Sequence, residues 1–181
     1  MLQDLGVLAS GTLRVFDLTV DRIRAAQFPA YFVQAWERLP DEEHLELETY
    51  WRGRDAPPAF KGRWHGLRDH QPCVSLCTGT GLPLCTQAGH VLTFSVDVLE
   101  AMGDALAIEA ISHELAHAVL YLRGDEDHWA EPSTLETFKG AERAVDRLLR
   151  AWGIDQTDLI LWSREWDRRH HPDPPLCIWE N

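Results

Sequence analysis

Apolar positions in the second half of the chain recur with the spacing of amphipathic helices. One helix is predicted from about Asp104 to Arg123, and Gly124 ends it. A second helix, "STLETFKGAERAVDRLLRAWG", begins with a capping box in which Ser133 is the N-cap residue and Glu136 follows three positions later. Its pattern ends at Gly153, so two long helices are expected in this half, joined by an acidic loop.

The first half of the chain carries shorter and more varied patterns. The β-rich residues 12 to 20, "TLRVFDLTV", and 90 to 96, "HVLTFSV", predict strands, whereas Pro29 to Trp51 predicts two short helices separated at "LPDEE". Residues 55 to 89 are dominated by Gly, Pro, Cys and Thr without periodicity, which indicates an irregular section or small lobe. A last helix is predicted at about Gln156 to Arg168.

The length and composition indicate one domain over residues 1 to 181, ending in a Pro-rich tail at about 170 to 181. With 45% hydrophobic and 25% charged residues, 181 residues are enough for one well-filled core. No uninterrupted apolar run reaches the roughly 18 residues of a bilayer span, and the N-terminus has no signal-peptide pattern. We therefore expect a cytoplasmic protein without a membrane partner.

The charge argues against nucleic acid as a partner. The formal net charge is -12, and only two lysines occur among scattered arginines. Polyanions are held mainly by clustered Lys and Arg, so neither nucleic acid nor an anionic membrane surface is an expected partner.

Four cysteines occur, three of them close together: Cys73, Cys77 and Cys85, with Cys177 near the C-terminus. A second zinc site and a disulfide are both conceivable. Because CxxC pairs are absent and no feature points to an extracellular setting, reduced and partly buried thiols are the favoured expectation.

The stretch "ISHELAHAVLYL" places polar residues inside an otherwise apolar helix. His113 and His117 lie opposite an apolar stripe, but apolar residues flank them too, so both faces favour burial. The four-residue spacing stacks the two imidazoles, which can then meet one ion, and Glu114 beside them can accept a proton from an attacking water. This is the HExxH arrangement of zinc hydrolases; the alternative is a buried helix with hydrogen-bonded histidines. The apolar stripe comprises Ile108, Ile111, Leu115, Val119 and Leu122.

The second helix carries carboxylates where apolar residues are expected. Glu142 and Asp146 fall inside the stripe formed by Leu135, Phe138, Val145, Leu149 and Trp152. Buried carboxylates without partners are costly, so these two must be paired or coordinated. We expect Glu142 to be the third zinc ligand and Asp146 to accept a hydrogen bond from a ligand histidine. A salt bridge to a core-facing arginine is the alternative.

"HELAH" followed by "ERAVD" resembles the gluzincin pattern, HExxH plus a downstream ExxxD, of small bacterial metallopeptidases and ImmA/IrrE-like proteins. The resemblance covers about 45 residues, from Glu109 to Gly153, and Val145 replaces the small residue common before the Asp. It implies an α+β fold with a zincin-like core: the HExxH helix, a small sheet with an edge strand ahead of it, and a second ligand-bearing helix. The resemblance also implies that Glu114 is the general base and that Asp146 accepts a hydrogen bond from a ligand histidine. The zinc ligands it implies are His113, His117 and Glu142.

A second resemblance, to SprT-like proteases, uses a third histidine after HExxH, and His128 stands near that position. The usual following Gly is replaced by Trp129, zinc-ribbon cysteines are missing, and the acidic charge does not suit a DNA-associated enzyme. Glu142 is therefore favoured over His128 as the third ligand. His128 and Tyr121 remain candidates for stabilising an oxyanion.

These features predict a zinc-dependent metallopeptidase that acts on a peptide or protein substrate. Glu114 would be the general base, and Leu92, Thr93 and Phe94 would form the edge strand that pairs with substrate. A peptidase in the cytoplasm needs restraint, so a narrow cleft, a blocking segment or a regulatory partner is expected. The alternative is a zinc-binding regulatory or interaction protein with little turnover; the intact Glu114 favours the enzyme.

Overall fold

The computed structural model describes the backbone of residues 14–17, 27–51, 73–77, 85–87, 91–125 and 135–170. Side chains are described for residues 27–28, 30–47, 94–95, 97–125 and 139–170.

Helices make up most of this described structure. In chain order they are α1 (Phe28–Trp36), α2 (Asp41–Trp51), α3 (Val96–Met102), α4 (Asp104–Arg123), α5 (Leu135–Ala151) and α6 (Thr157–His170). The strands are β1 (Arg14–Asp17), β2 (Cys73–Cys77), β3 (Cys85–Gln87) and β4 (Val91–Ser95).

Helix α4 is the central element. Fourteen of its 20 residues are buried. Gly124 ends it in the left-handed conformation (φ 67°), and the backbone N–H of Gly124 donates to the carbonyls of Leu120 and Tyr121. Its length and apolar composition would suffice to cross a membrane, yet 78% of the apolar window is buried inside the protein, as in the core helix of a globular domain.

Helices α1 and α5 pack most extensively against α4 and so help to position its polar residues. Helix α1 packs against it in the larger hydrophobic cluster, which includes Phe28 and Phe32. Helix α5 packs against it in a second cluster, where Val145 and Leu149 join Ala116 of α4. Apolar residues close in sequence to the predicted ligands thus form part of the contact between α4 and α5.

The backbones of the four strands pair in the order β1-β2-β4-β3. The pairs β1–β2 and β2–β4 are parallel, and β3–β4 is antiparallel. Strand β4 runs directly into α3, whose first turn is capped by the Ser95 hydroxyl as it accepts from the N–H of Val98 at 3.4 Å.

The expected α+β fold class, with a small sheet in the core, is wrong. Helices account for 83% of the residues whose side chains the structure describes, and among those residues β4 is the single short strand. The backbone-paired strands are only three to five residues long. The described core is built from helix side chains, to which β4 adds Phe94, 5.2 Å from Phe28 between ring centroids.

The expected substrate edge strand is also corrected. Leu92 pairs with Val74 of β2 on one side and with Thr86 of β3 on the other, and Thr93 is likewise paired on both sides. The side chain of Phe94 is fully buried. At Leu92 and Thr93 a peptide therefore has no free backbone edge with which to pair.

Most predicted elements are confirmed, with differences of one to three residues at their ends. Both predicted strands and the predicted helices form, α4 at the predicted bounds. Three elements escaped prediction, namely α3, β2 and β3, the last two inside the section expected to be irregular. The predicted N-cap Ser133 lies outside the described residues.

Candidate metal centre

His113 and His117 lie one turn apart on α4 and share a small buried space. Their ring centroids are 4.9 Å apart, and the two Nε2 atoms are 3.1 Å apart. Only 10% and 12% of the two side chains are exposed. The four-residue spacing therefore brings both imidazoles to one point, as expected from helix geometry.

Glu142 reaches the same point from α5. Its Oε2 lies 3.2 Å from Nε2 of His113, and its Oε1 lies 3.4 Å from Nε2 of His117. The packing of Val145 and Leu149 against α4 places the carboxylate there. One donor atom from each residue lies within 4.8 Å of the other two, and the described residues form no other such group.

The donor set suits a zinc ion. Donor atoms that share a tetrahedral zinc with bonds of about 2.0–2.1 Å lie roughly 3.3 Å from one another. The two Nε2 atoms are 3.1 Å apart, and they lie 3.2 and 3.4 Å from different oxygens of Glu142, which are separations of similar size. Moreover, Oε2 of Glu142 is buried and makes no well-directed hydrogen bond, although Nε2 of His113 lies 3.2 Å away, and this is costly unless a cation is present.

In the pKa values of His113 and Glu142, the effect of the neighbouring charges is opposite to the effect of burial. Burial alone would lower the pKa of His113, but the hydrogen bond and the negative charge of Glu142 outweigh it and raise that pKa to about 9. Burial would raise the pKa of Glu142, but the two histidines hold it well below its ordinary value. Without a metal, the group thus retains a proton that a cation would displace.

Glu114 lies beside this group, with only 3% of its surface exposed. Its negative charge is one of the influences that raise the pKa of His113. A carboxylate so placed is near the three donor atoms without being one of them. Its closeness to His113 makes Glu114 the candidate proton acceptor of the site.

Gln156 is the functional residue that the sequence reasoning missed. Its side-chain oxygen lies 3.1 Å from Nδ1 of His113, and the residue is 5% exposed. It comes from the short connection between α5 and α6. No periodic pattern or charge marks a lone neutral amide in such a connection, so its contact with His113 could not be predicted from the sequence.

Asp146, the predicted hydrogen-bond partner of a ligand histidine, lies elsewhere. Its carboxylate accepts from the Arg150 guanidinium, with oxygen–nitrogen distances of 3.2 and 2.9 Å, and its side chain is 34% exposed. The described partner of His113 Nδ1 is Gln156 instead. Asp146 lies one turn beyond Glu142 on the partly exposed part of α5, where Arg150 of the same helix can reach it.

The remaining predicted residues fall in different places. Tyr121, on α4, is buried in the main hydrophobic cluster, and burial raises the pKa of its phenol to about 12, so it is neutral at ordinary pH. His128 lies outside the described residues.

The cysteines also fall partly outside the description. The backbone of Cys73 and Cys77 lies at the two ends of β2, and that of Cys85 begins β3. Cys177 lies outside the described residues. The expectation of reduced thiols stays a prediction.

Comparison with known proteins gives no match: no family model, no curated protein and no solved structure is similar to the chain. The likeness to gluzincin peptidases therefore depends on "HELAH" and "ERAVD" alone. The geometry of the site is consequently the main indication of function.

Proposed function

We propose that this protein is a zinc-dependent metallopeptidase that hydrolyses peptide bonds in a peptide or protein substrate. The observation that carries the proposal is the convergence of His113, His117 and Glu142, with Glu114 buried beside them. Three protein donors with one open position are typical of catalytic zinc sites, whereas structural zinc sites are usually closed by four.

The donor types favour zinc over harder cations. Magnesium and calcium are bound almost entirely by oxygen, whereas two of the three donors here are imidazole nitrogens. Zinc, when bound, would supply a Lewis acid that polarises the substrate carbonyl and lowers the pKa of water toward about 7. His113, His117 and Glu142 would hold it.

The chain itself supplies the proton transfers. Glu114 would take the proton from the attacking water and deliver it to the amine that leaves when the peptide bond breaks. Since Glu114 is almost completely buried, its charge acts in a medium of low dielectric constant, where it is felt strongly by neighbouring groups. A purely structural metal would require no such carboxylate.

A cleavage assay with one matched variant tests the proposal. The purified, zinc-loaded protein is incubated with a mixture of unstructured peptides, and new termini are identified by mass spectrometry. Glu114→Gln keeps the shape of the side chain and all three ligands, so it should bind zinc as the wild type does. We expect cleavage by the wild type and a loss of about 100-fold or more in Glu114→Gln.

Two results would contradict the proposal. Equal cleavage by Glu114→Gln would point to a contaminating peptidase or a different base. Full zinc occupancy without cleavage of any peptide would instead identify a zinc-binding protein with little turnover.

A further inference from the structure

We propose that Gln156 is a positioning residue that fixes the tautomer and ring orientation of His113 for metal binding. The inference rests on the metal site of the proposed function but does not require peptidase activity. It assigns a role to a residue that belongs to neither "HELAH" nor "ERAVD".

The hydrogen bonds around Gln156 determine which end of its amide faces the histidine. The amide nitrogen donates to the backbone carbonyl of Glu109 at 3.5 Å, and a carbonyl can only accept. The amide oxygen, which also only accepts, is therefore the atom 3.1 Å from Nδ1 of His113. Nδ1 must carry the hydrogen, so in the neutral ring the lone pair is on Nε2.

That lone pair is the one the metal site needs. Nε2 of His113 is the atom that lies 3.1 Å from Nε2 of His117 and 3.2 Å from the Glu142 carboxylate. If Nδ1 had no acceptor, the ring could adopt the other tautomer or turn, and a buried N–H would lose its partner. Gln156 thus opposes the tautomer of His113 in which Nε2 carries the hydrogen and cannot coordinate an ion.

The backbone holds Gln156 firmly in place. Its carbonyl accepts from the N–H of Ile160 at 2.9 Å, the first hydrogen bond of α6. Asp155 caps the same helix by accepting from the N–H of Thr157 at 3.0 Å and from its hydroxyl at 2.7 Å. A side chain at a capped helix start has little freedom to leave its partner.

Helix α5 also links this residue to the third ligand. The N–H of Ile154 donates to the carbonyl of Leu149 at 2.9 Å, which closes the end of α5 two residues before Gln156. Glu142 on α5 and Gln156 in the connection that follows α5 therefore both contact the ring of His113 on α4, at Nε2 and Nδ1 respectively. Because Gln156 is neutral, it orients His113 without adding a further negative charge to those of Glu114 and Glu142.

Zinc affinity, measured by competition with a chromogenic chelator, tests the role without any activity assay. Gln156→Met keeps the length of the side chain but removes the acceptor, and Gln156→Glu restores an acceptor oxygen. Asp158→Asn, on the exposed first turn of α6, is the control. We expect about 10–100-fold weaker zinc binding in Gln156→Met, near wild-type binding in Gln156→Glu and no change in the control.

The visible spectrum of the cobalt-substituted proteins gives a second readout that a loss of packing would not move. It should change in Gln156→Met, where the geometry at His113 is altered, and return toward that of the wild type in Gln156→Glu. Wild-type affinity together with an unchanged spectrum in Gln156→Met would overturn the positioning role alone. Failure of Gln156→Glu to recover binding would overturn the acceptor function, and a wild type that binds no zinc would overturn the metal site itself.

Discussion

Glu142 on α5 faces His117 on α4 beside an apolar cluster that the two helices share, with 3.4 Å between Oε1 and Nε2. Val145 and Leu149 pack beside it against Ala116. A carboxylate in this setting is expensive unless it is paired or coordinated. The site therefore lies inside the contact between the two helices, and an ion bound there would join them.

The first prediction concerns the ligand on α5. Glu142→Ala should lose zinc, because only two histidines would remain to hold it. The affinity should fall by more than the roughly 10–100-fold that is typical of removing a residue that merely supports a ligand. Elemental analysis of the purified protein measures it, with about one zinc per chain expected in the wild type.

Asp146→Ala is the matched control for this prediction. It removes a carboxylate one turn further along α5, where the partner is Arg150 rather than a histidine. Zinc should be retained. If zinc were kept in Glu142→Ala but lost in His128→Ala, the third ligand would be His128 and the likeness to SprT-like proteases would become the better one.

Removal of the metal should destabilise the fold, since the three ligands come from two helices. A ligand present at 100 times its dissociation constant stabilises the native state by about 2.7 kcal/mol. For a chain of this size that corresponds to a fall in melting temperature of roughly 5–10 °C when a strong chelator is added. The melting temperature of Glu142→Ala should not respond to the chelator, and an equal fall in both proteins would show a nonspecific effect.

The helices that carry the ligands could be predicted because their signals are local. Gly124 ends α4, where its left-handed backbone accommodates the turn. The helical spacing of "HELAH" brings two imidazoles together without any information about the tertiary fold. Glu142 was predictable because it interrupts an apolar stripe, and the structure places it beside both histidines.

Features that depend on contacts between distant residues could not be predicted in the same way. Gln156 is 43 residues from His113, and only the turn between α5 and α6 brings them together. A ligand histidine or an arginine would each satisfy the carboxylate of Asp146. It contacts Arg150, which is nearer in the sequence. Helix α3 was missed because "VDVL" continues the β-rich pattern of β4, whereas the Ser95 cap starts a helix there.

A buried polar cluster at the far end of α4 yields a separate stability prediction. The carboxylate of Glu43 on α2 is 2% exposed and contacts the guanidinium of Arg123, while its other oxygen accepts from the indole N–H of Trp152 at 3.1 Å. Glu43→Ala would leave both donors without this acceptor. We expect a loss of about 2–3 kcal/mol in the free energy of unfolding, because Arg123 keeps partial contact with solvent.

Glu46→Ala is the control for the Glu43 variant. Glu46 accepts from the same arginine at 3.0 Å, but its side chain is 42% exposed. An exposed pair of this kind contributes about 0–1 kcal/mol. Urea unfolding of the two variants compares them directly, and equal losses would show that burial does not distinguish the two carboxylates.

The turn between α5 and α6 provides the last prediction, since it sets the position of Gln156 relative to Glu142. Gly153 has a φ of 76°, a conformation that costs an L-residue about 1–2 kcal/mol. A Cβ atom there would meet nothing within 4 Å, so Gly153→Ala should pay only this backbone cost. Stability should fall by about 1 kcal/mol, while zinc affinity stays within a few-fold of wild type because the turn itself is kept. Gly153→Asn should lose less, since Asn adopts this conformation more readily. A large loss of zinc in Gly153→Ala with little change in stability would mean that the turn moves to a new position, and that the connection between α5 and α6 holds Gln156 less rigidly than its hydrogen bonds indicate.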